Sequence, residues 1–178
     1  KSPFYSWYTF TSYPDKYESW WGFDTLPNVN ELDKNFTEYI AEGKDSVIKK
    51  WLRRGASGFR LDVADELPDK FIKILRKALK EENPDSLLIG EVWEDASNKC
   101  SYGVRRTYFT EKELDSVMNY PFRDGILEYL TGKTDGLHVS ICRAGIYSNG
   151  FTRVCSGTIK RYRIVFGYRT FVMLRKEI

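Results

Sequence analysis

The sequence predicts an α/β fold made of consecutive βαβ units around a parallel sheet. Short apolar segments typical of buried strands alternate with amphipathic segments typical of helices along the first 136 of the 178 residues. The strand segments are continuously apolar rather than alternating, as expected when helices cover both faces of a parallel sheet. This pattern fits part of a barrel or part of a doubly wound sheet.

The first predicted elements are a helix, a strand and a second helix. Asp45 caps the first helix, which shows apolar residues on one face and stops at Gly55. The strand covers Phe59 to Val63. The second helix enters at Pro68 and stops at Asn83-Pro84, because proline is tolerated at the start of a helix and breaks its continuation.

The second half of the pattern continues with shorter strands. Leu87 to Ile89 form a buried strand, and Ser116 to Asn119 form a short one. A helix over Arg123 to Leu130 follows and is closed by Gly132. The order of elements is therefore helix, strand, helix, strand, strand, helix.

Two carboxylates come directly after predicted strands. Asp62 and Glu91 are 29 residues apart, the length of one βαβ repeat. Neighbouring strands lie about 4.8 Å apart. Acids at the same edge can therefore face one point with carboxyl groups about 5 Å apart, the spacing of retaining glycoside hydrolysis. In that reaction one carboxylate attacks the sugar carbon and the other protonates the leaving oxygen.

Four segments resemble conserved regions of the α-amylase family, glycoside hydrolase family 13, in its neopullulanase and cyclomaltodextrinase branch. In chain order they are WWGFDTLPNVN at 20–30, GFRLDVADE at 58–66, GEVWED at 90–95 and MNYPFRDGI at 118–126. The resemblance covers residues 1–136, predicted to be a partial catalytic domain. It implies a (β/α)8 TIM barrel, of which this chain is expected to supply about strands 4 to 6 with flanking helices.

The resemblance also implies roles for four residues. Asp62 is the nucleophile, Glu91 the general acid/base, Arg60 the cation beside the nucleophile, and Trp93 a wall on which sugar stacks. Arg60 is expected to lower the pKa of Asp62, whereas Glu91 is expected to keep its proton in a drier setting. The alternatives are a structural Arg60–Asp62 ion pair, a helix-capping Glu91 and a packing role for Trp93.

Nearby polar and aromatic residues are interpreted as structural. Asp65 and Glu66 are expected to cap and charge the start of the next helix. Packing or loop positions are expected for Tyr102, Tyr108 and Tyr120. The single histidine, His138, lies beyond the matched segments and is interpreted as incidental.

The activity implied by the resemblance is hydrolysis of α-1,4-glucosidic bonds in maltodextrins, cyclodextrins or pullulan. The expected partner is an oligosaccharide or α-glucan, with no cofactor and no metal. A transglycosylase of the same family and a non-catalytic amylase-like interaction module are the alternatives. The family's third acid, in a His-Asp motif, and its upstream Asn-His pair do not occur in the sequence. We therefore expect this chain to be an inactive fragment of the enzyme. The resemblance implies that the whole enzyme forms a homodimer.

Composition argues against several other classes of function. Residues 1–136 contain 20 Lys and Arg against 24 Asp and Glu, whereas residues 137–178 contain 8 basic residues and one acid. These basic residues are scattered among apolar ones without a motif, so nucleic-acid binding is not expected. No apolar run of 18 residues occurs, so no membrane span is expected. Our hypothesis for the basic tail is a frameshifted or disordered segment, with a genuine divergent extension as the alternative.

The three cysteines point to a cytoplasmic protein. Cys100, Cys142 and Cys155 are an odd number without C-x-x-C spacing, which argues against a disulfide framework and against a structural zinc site. Reduced thiols are the rule in the cytoplasm.

Overall fold

The computed structural model describes residues 2–136 and the backbone of two further strands, Tyr162–Val165 and Phe171–Arg175. The remaining predictions for the tail, including those for His138, Cys142 and Cys155, lie outside the described residues. The elements, in chain order, are β1 (Phe10–Ser12), β2 (Lys16–Tyr17), α1 (Lys34–Thr37, continued by a π-turn over Glu38–Glu42), α2 (Val47–Arg53), β3 (Ala56–Leu61), α3 (Asp69–Glu82), β4 (Leu87–Gly90), β5 (Cys100–Ser101), β6 (Val104–Arg105), β7 (Ser116–Val117), α4 (Tyr120–Leu130), β8 (Tyr162–Val165) and β9 (Phe171–Arg175).

The main sheet has the strand order β7-β4-β3-β9-β8. β3 and β4 are parallel, with a register that runs from Gly58 opposite Leu87 to Leu61 opposite Gly90. β7 is parallel to β4 on its other side. The predicted βαβ unit is therefore present, with α3 as the crossover helix. β9 pairs antiparallel with the remaining edge of β3, and β8 pairs antiparallel with β9.

The helix α2 confirms the predicted position but not the predicted cap. The N-cap is Ser46, whose side chain accepts a hydrogen bond from the Lys49 N–H, so the assignment to Asp45 was wrong by one residue. Gly55 follows the helix with a φ of 98°, a left-handed conformation that favours glycine. The turn then leads straight into β3.

Two strand ends differ from the prediction for local reasons. β3 ends at Leu61 rather than Val63, because Val63 has a left-handed conformation with φ 41° and ψ 63°. β7 ends at Val117, and α4 begins at Tyr120 rather than Arg123. Here Asn119 is the N-cap, and its side chain accepts a hydrogen bond from the Phe122 N–H.

The hydrophobic core lies between α3 and the parallel strands. α3 begins after Pro68, as predicted, and buries one apolar face against the sheet. Full burial of each large apolar side chain contributes roughly 1.5–3 kcal/mol. The most deeply buried of these residues are Ile72, Leu75, Leu79, Leu88, Val92, Tyr108 and Leu114. This packing holds β3 and β4 in register and so sets the positions of the residues that follow them.

The search for a membrane-spanning segment is negative within residues 2–136 and the two further strands. No helix there is both long enough and apolar enough to cross a bilayer.

Candidate active site

Arg60, Asp62 and Glu91 meet at the carboxyl edge of the parallel strands. Because Leu61 lies opposite Gly90, the next residue on each strand is one of the two carboxylates. The Arg60 guanidinium contacts both of them: Nη1 pairs with Asp62 Oδ1, and Nη2 lies 2.5 Å from Glu91 Oε1. The side chains of Arg60 and Glu91 are each 10% exposed, whereas that of Asp62 is 38% exposed. One buried cation therefore holds two acids, one of which is open to solvent.

Glu91 also clamps the turn that follows Asp62. Its backbone N–H donates to the Leu61 carbonyl at 2.9 Å, and its carbonyl accepts from the Ala64 N–H at 3.0 Å. Its carboxylate Oε2 accepts from the Val63 N–H, also at 3.0 Å. A left-handed conformation costs an L-residue about 1–2 kcal/mol. The three hydrogen bonds from Glu91 span this strained residue and stabilise the turn.

Gly90 allows β4 to pack closely at this point. A Cβ atom on Gly90 would lie 2.5 Å from Leu114 Cδ1 and 3.2 Å from the Ala64 Cβ. The first of these separations is shorter than packed carbon atoms adopt, since their optimal contact is about 3.5–4.0 Å. The residue before Glu91 must therefore be glycine unless Leu114 moves.

The expected proton on Glu91 is not favoured in this arrangement. Burial raises the pKa of Glu91, but four interactions that favour the anion outweigh it and hold this pKa below its usual value. They are the Val63 N–H, the Trp93 indole, the Arg60 charge and the Tyr120 hydroxyl. The sequence prediction rested on burial alone, and most of these anion-stabilising contacts come from segments far from Glu91 in the chain.

Two further residues reach the site from the end of β7. The Tyr120 hydroxyl donates to Glu91 Oε1 at 3.1 Å, so the packing or loop role predicted for Tyr120 was incomplete. Burial and this hydrogen bond raise the pKa of Tyr120. Met118 Sδ lies 3.5 Å from Arg60 Nε. Their position directly after the third parallel strand was the available sequence signal, because all three carboxyl ends meet at one edge.

Trp93 lies beside the carboxylates as part of an aromatic surface that we call the tryptophan wall, Trp20, Trp21 and Trp93. Trp93 is 47% exposed and meets Trp21 edge to face, with 6.3 Å between ring centroids. Trp21 stacks on Trp20 at 4.2 Å. Its indole N–H donates to Glu66 at 3.2 Å, and the exposed Tyr102 hydroxyl donates to the same carboxylate oxygen.

The capping role expected for Asp65 and Glu66 was wrong. The residue before α3 is Pro68, and no side chain caps the helix there. Asp65 instead accepts a hydrogen bond from the Tyr108 hydroxyl at 2.6 Å and pairs with Lys99 at 3.1 Å. Glu66 binds the aromatic donors of the preceding paragraph. Tyr108 itself is 1% exposed, which confirms its packing role.

Metal binding finds no support within the part of the chain that the structure describes. No group of three or more His, Cys, Asp or Glu side chains there is arranged to hold an ion.

Residues 5–154 match the sequence model of a family described as alpha amylase, catalytic domain. The chain belongs to this family. The match covers the described residues from Tyr5 to Gly136 but not β8 and β9. It continues past Gly136, where the sequence resemblance ended.

Named relatives agree with this membership. The chain is 33% identical over 145 residues to an amylopullulanase of Thermoanaerobacterium saccharolyticum, covering 75% of this chain and 11% of that protein. It is 33% identical over 104 residues to neopullulanase 2 of Thermoactinomyces vulgaris, covering 58% of this chain and 16% of that protein. The chain thus spans less than a fifth of the length of these relatives.

Solved structures agree with the fold. The chain superposes on the cyclic α-maltosyl-(1→6)-maltose hydrolase of Arthrobacter globiformis in complex with maltose, with a TM-score of 0.69 at 22% identity. The superposition covers 84% of this chain and 33% of that one. The chain is therefore part of a (β/α)8 barrel, as the resemblance implied.

Proposed function

We propose that the protein carrying this chain is a retaining glycoside hydrolase that cleaves α-1,4-glucosidic bonds in maltodextrins, cyclodextrins or pullulan. The observation that carries the proposal is the single guanidinium of Arg60 holding Asp62 and Glu91 at the carboxyl edge of adjacent parallel strands. Active sites of (β/α)8 barrels are built at this edge. The names of the relatives supply the substrate class.

Asp62 is suited to the nucleophilic step. Its side chain is the more exposed of the two, so a sugar ring can approach it. Its carboxylate attacks the anomeric carbon while the bond from that carbon to the leaving oxygen breaks, which forms a covalent glycosyl-enzyme ester. The ion pair with Arg60 orients the carboxylate for this attack.

Glu91 is suited to proton transfer in both steps. It gives a proton to the leaving oxygen, and then removes one from the water that attacks the ester and releases Asp62. The first step needs a protonated Glu91, which its ion pair with Arg60 opposes. Substrate binding that expels water, and a third carboxylate like the one in the family, would both raise this pKa.

The tryptophan wall provides the binding surface next to these groups. Trp93 presents an exposed ring within the same strand-end segment as Glu91, and sugar rings stack on such faces. The same surface favours a second candidate function. If the wall holds an acceptor sugar in place of water, the ester is transferred to that sugar and the enzyme is a transglycosylase.

The test uses the full-length protein with maltotriose and with α-glucosyl fluoride. We expect Asp62→Asn to lower kcat by about 10³-fold or more on both substrates, because no nucleophile remains. Glu91→Gln should lower kcat/KM about 10²–10⁴-fold on maltotriose and far less on the fluoride, since kcat/KM reports the first step and fluoride leaves without a proton. Its kcat should fall on both substrates, because hydrolysis of the ester still lacks a base. Asp85→Asn, at an exposed loop position, is the matched control.

Two results would count against the proposal. They are an Asp62→Asn enzyme with near wild-type kcat and a first product of inverted anomeric configuration by NMR. Strong turnover by the isolated 178-residue chain would instead contradict the expectation that this chain alone is inactive. Adding a high concentration of maltose as an acceptor that competes with water separates the two candidate functions. A transglycosylase would then form longer oligosaccharides in preference to glucose.

We also propose that the protein is cytoplasmic. Cys100 is exposed and free, as is common in a reducing compartment. Fractionation of the source cells tests this, with an extracellular pool of the enzyme as the contrary result. The homodimer implied by the resemblance stays a prediction.

A further inference from the structure

Arg106 contacts the backbone of the turn that follows Asp62. It comes directly after β6, and its side chain is only 7% exposed. Its Nη2 donates to the Leu67 carbonyl at 2.6 Å and to the Ala64 carbonyl at 3.3 Å, and Nη1 lies 3.5 Å from the Asp65 carbonyl. One buried guanidinium therefore reaches three carbonyl oxygens of the turn.

The position of Arg106 is itself well determined. Its Nη2 lies 2.9 Å from Asp69 Oδ1, at the first residue of α3. Its guanidinium carbon lies 4.9 Å from the centre of the Tyr108 ring, and the Tyr108 hydroxyl donates back to Asp65. Its backbone N–H donates to the Lys99 carbonyl at 2.9 Å. The hairpin of β5 and β6 is thereby joined to the turn and to α3.

The turn requires such support because it begins with strain. Val63, next to Asp62, has a left-handed conformation, which is unfavourable for a β-branched residue. The 3₁₀ turn Ala64–Glu66 follows immediately. Strained backbone persists only where the surrounding structure over-determines it. Glu91 supports the turn from the end of β4, and Arg106 supports it from the hairpin of β5 and β6.

Arginine is suited to this task and lysine is not. The guanidinium carries five N–H donors in a fixed planar fork, so it can bind several carbonyls at once. A lysine ammonium carries its donors on a single nitrogen at the end of a flexible stem. The neighbouring Arg105 has the same chemistry but a different setting, since it is exposed and its Nη2 donates to Asn98 Oδ1 at 3.0 Å.

We propose that Arg106 is a positioning residue that holds the 64–67 turn and, through it, the attack geometry of Asp62 and the Val63 N–H contact to Glu91. The inference rests on the proposed function, because it assigns Arg106 a part in the nucleophilic step. It concerns a side chain that touches neither carboxylate of the pair. Its effect on the reaction passes entirely through the backbone of the turn.

The experiment compares Arg106→Ala, Arg106→Lys and Arg105→Ala in the full-length protein, well below its unfolding temperature and normalised to the folded fraction by circular dichroism. We expect Arg106→Ala to lower kcat about 10–100-fold on maltotriose and on α-glucosyl fluoride, since displacement of a reacting group by about 1 Å costs on that order. KM should change little, because the substrate-binding surface is untouched. Arg106→Lys should lose less, and Arg105→Ala should match the wild type.

A pH profile provides a readout that a purely structural role would not move. The Val63 N–H lowers the pKa of Glu91, so loosening the turn should shift the corresponding limb of the pH–rate profile to higher pH in both Arg106 variants. Folded Arg106 variants with wild-type kcat and an unshifted limb would overturn the inference. If Arg106→Ala does not fold, Arg106→Lys alone decides by the same criteria. Failure of the proposed function looks different, because Asp62→Asn would then keep its activity.

Discussion

The two ends of the parallel sheet carry ion clusters of opposite composition. At the carboxyl edge, one cation, Arg60, forms ion pairs with two acids, Asp62 and Glu91. At the amino end of β7, one acid, Asp115, forms ion pairs with two cations from α3, Arg76 at 2.5 Å and Lys80 at 3.1 Å. The first cluster has an excess of negative charge and the second an excess of positive charge.

The backbone around the two clusters differs as well. Asp115 accepts a hydrogen bond from the Leu88 N–H at 2.9 Å, and its own N–H donates to the Leu88 carbonyl at 2.9 Å. It thus joins α3, β4 and β7. At the other end, Val63 is strained and Asp62 is more than a third exposed.

The difference separates a cluster that stabilises the fold from one suited to chemistry. Asp115 uses both carboxylate oxygens to connect structural elements. The carboxyl edge keeps surplus negative charge beside an open acid, which suits a reaction whose transition state resembles a sugar cation. In (β/α)8 barrels, residues at the amino ends of the strands usually stabilise the fold, and residues at the carboxyl ends usually form the active site.

The largest expected effect on stability is at the amino end. Asp115→Ala should lower the free energy of unfolding by about 3–5 kcal/mol, because it leaves two cations facing an uncompensated, partly buried position. The kcat of the folded fraction should remain that of the wild type. Urea unfolding and kinetics of the full-length protein test both statements. The control Asp85→Ala should stay within about 0.5 kcal/mol, and an equal loss in the two variants would refute the comparison.

Glu113 provides a buried acid that belongs to neither cluster. Its Oε1 accepts from the Thr107 hydroxyl at 2.7 Å, whereas Oε2 is buried with no hydrogen-bond partner among the described residues. Burial raises the pKa of Glu113, and the charge of Asp69 adds to this. The folded state therefore binds its proton more tightly than the unfolded state, so stability falls as pH rises from the unfolded pKa, about 4.3, through the folded one.

Glu113→Gln should remove this loss of stability. At pH 8 the variant should be more stable than the wild type by about 1–3 kcal/mol, the cost of a buried group left unsatisfied. The difference should shrink as pH falls towards 4. Unfolding midpoints measured across this range test the sign, with Glu111→Gln as the control, an exposed acid that shares Lys73. A difference independent of pH would argue against a raised pKa.

The strain at the carboxyl edge can be measured at Val63. Val63→Gly should be more stable than Val63→Ala by about 1 kcal/mol, because glycine adopts left-handed backbone without the Cβ penalty. At Lys77, an exposed position within α3, the same pair should show the opposite order, alanine being better by about 1 kcal/mol. Thermal unfolding of the four variants provides the comparison. The same order at both positions would mean that Val63 is not strained.

The smallest expected stability effect is at Asp62, the proposed nucleophile. Asp62→Asn should change the free energy of unfolding by less than about 1 kcal/mol, since the Asp62 side chain is 38% exposed and Arg60 keeps its ion pair with Glu91. The same variant should lose nearly all activity. Unfolding curves recorded beside the kinetics show whether the two effects separate. A loss of several kcal/mol would place Asp62 with Asp115 as a structural acid.

Local pattern was sufficient for much of the fold. Periodicity and helix-breaking residues located α2, α3 and β4 to within a few residues, because amphipathic faces and caps depend on residues that are close together in the sequence. The errors lie where two local signals compete. Ser46 rather than Asp45 caps α2, and the left-handed Val63 shortens β3 by two residues relative to the prediction.

The sequence alone determined that two acids follow adjacent strands, that an arginine precedes one of them, and which family they resemble. Only the tertiary structure decided that Arg60 contacts both acids, that Tyr120 binds Glu91, and that Arg106 supports the turn from a distant hairpin. The physical reason is that strand order follows from short-range patterns, whereas hydrogen bonds between segments far apart in the chain depend on side-chain directions set by packing. The protonation of Glu91 belongs mainly to this second group, since burial and three groups far away in the chain, the Val63 N–H, the Arg60 charge and the Tyr120 hydroxyl, act on its pKa together with the nearby Trp93 indole.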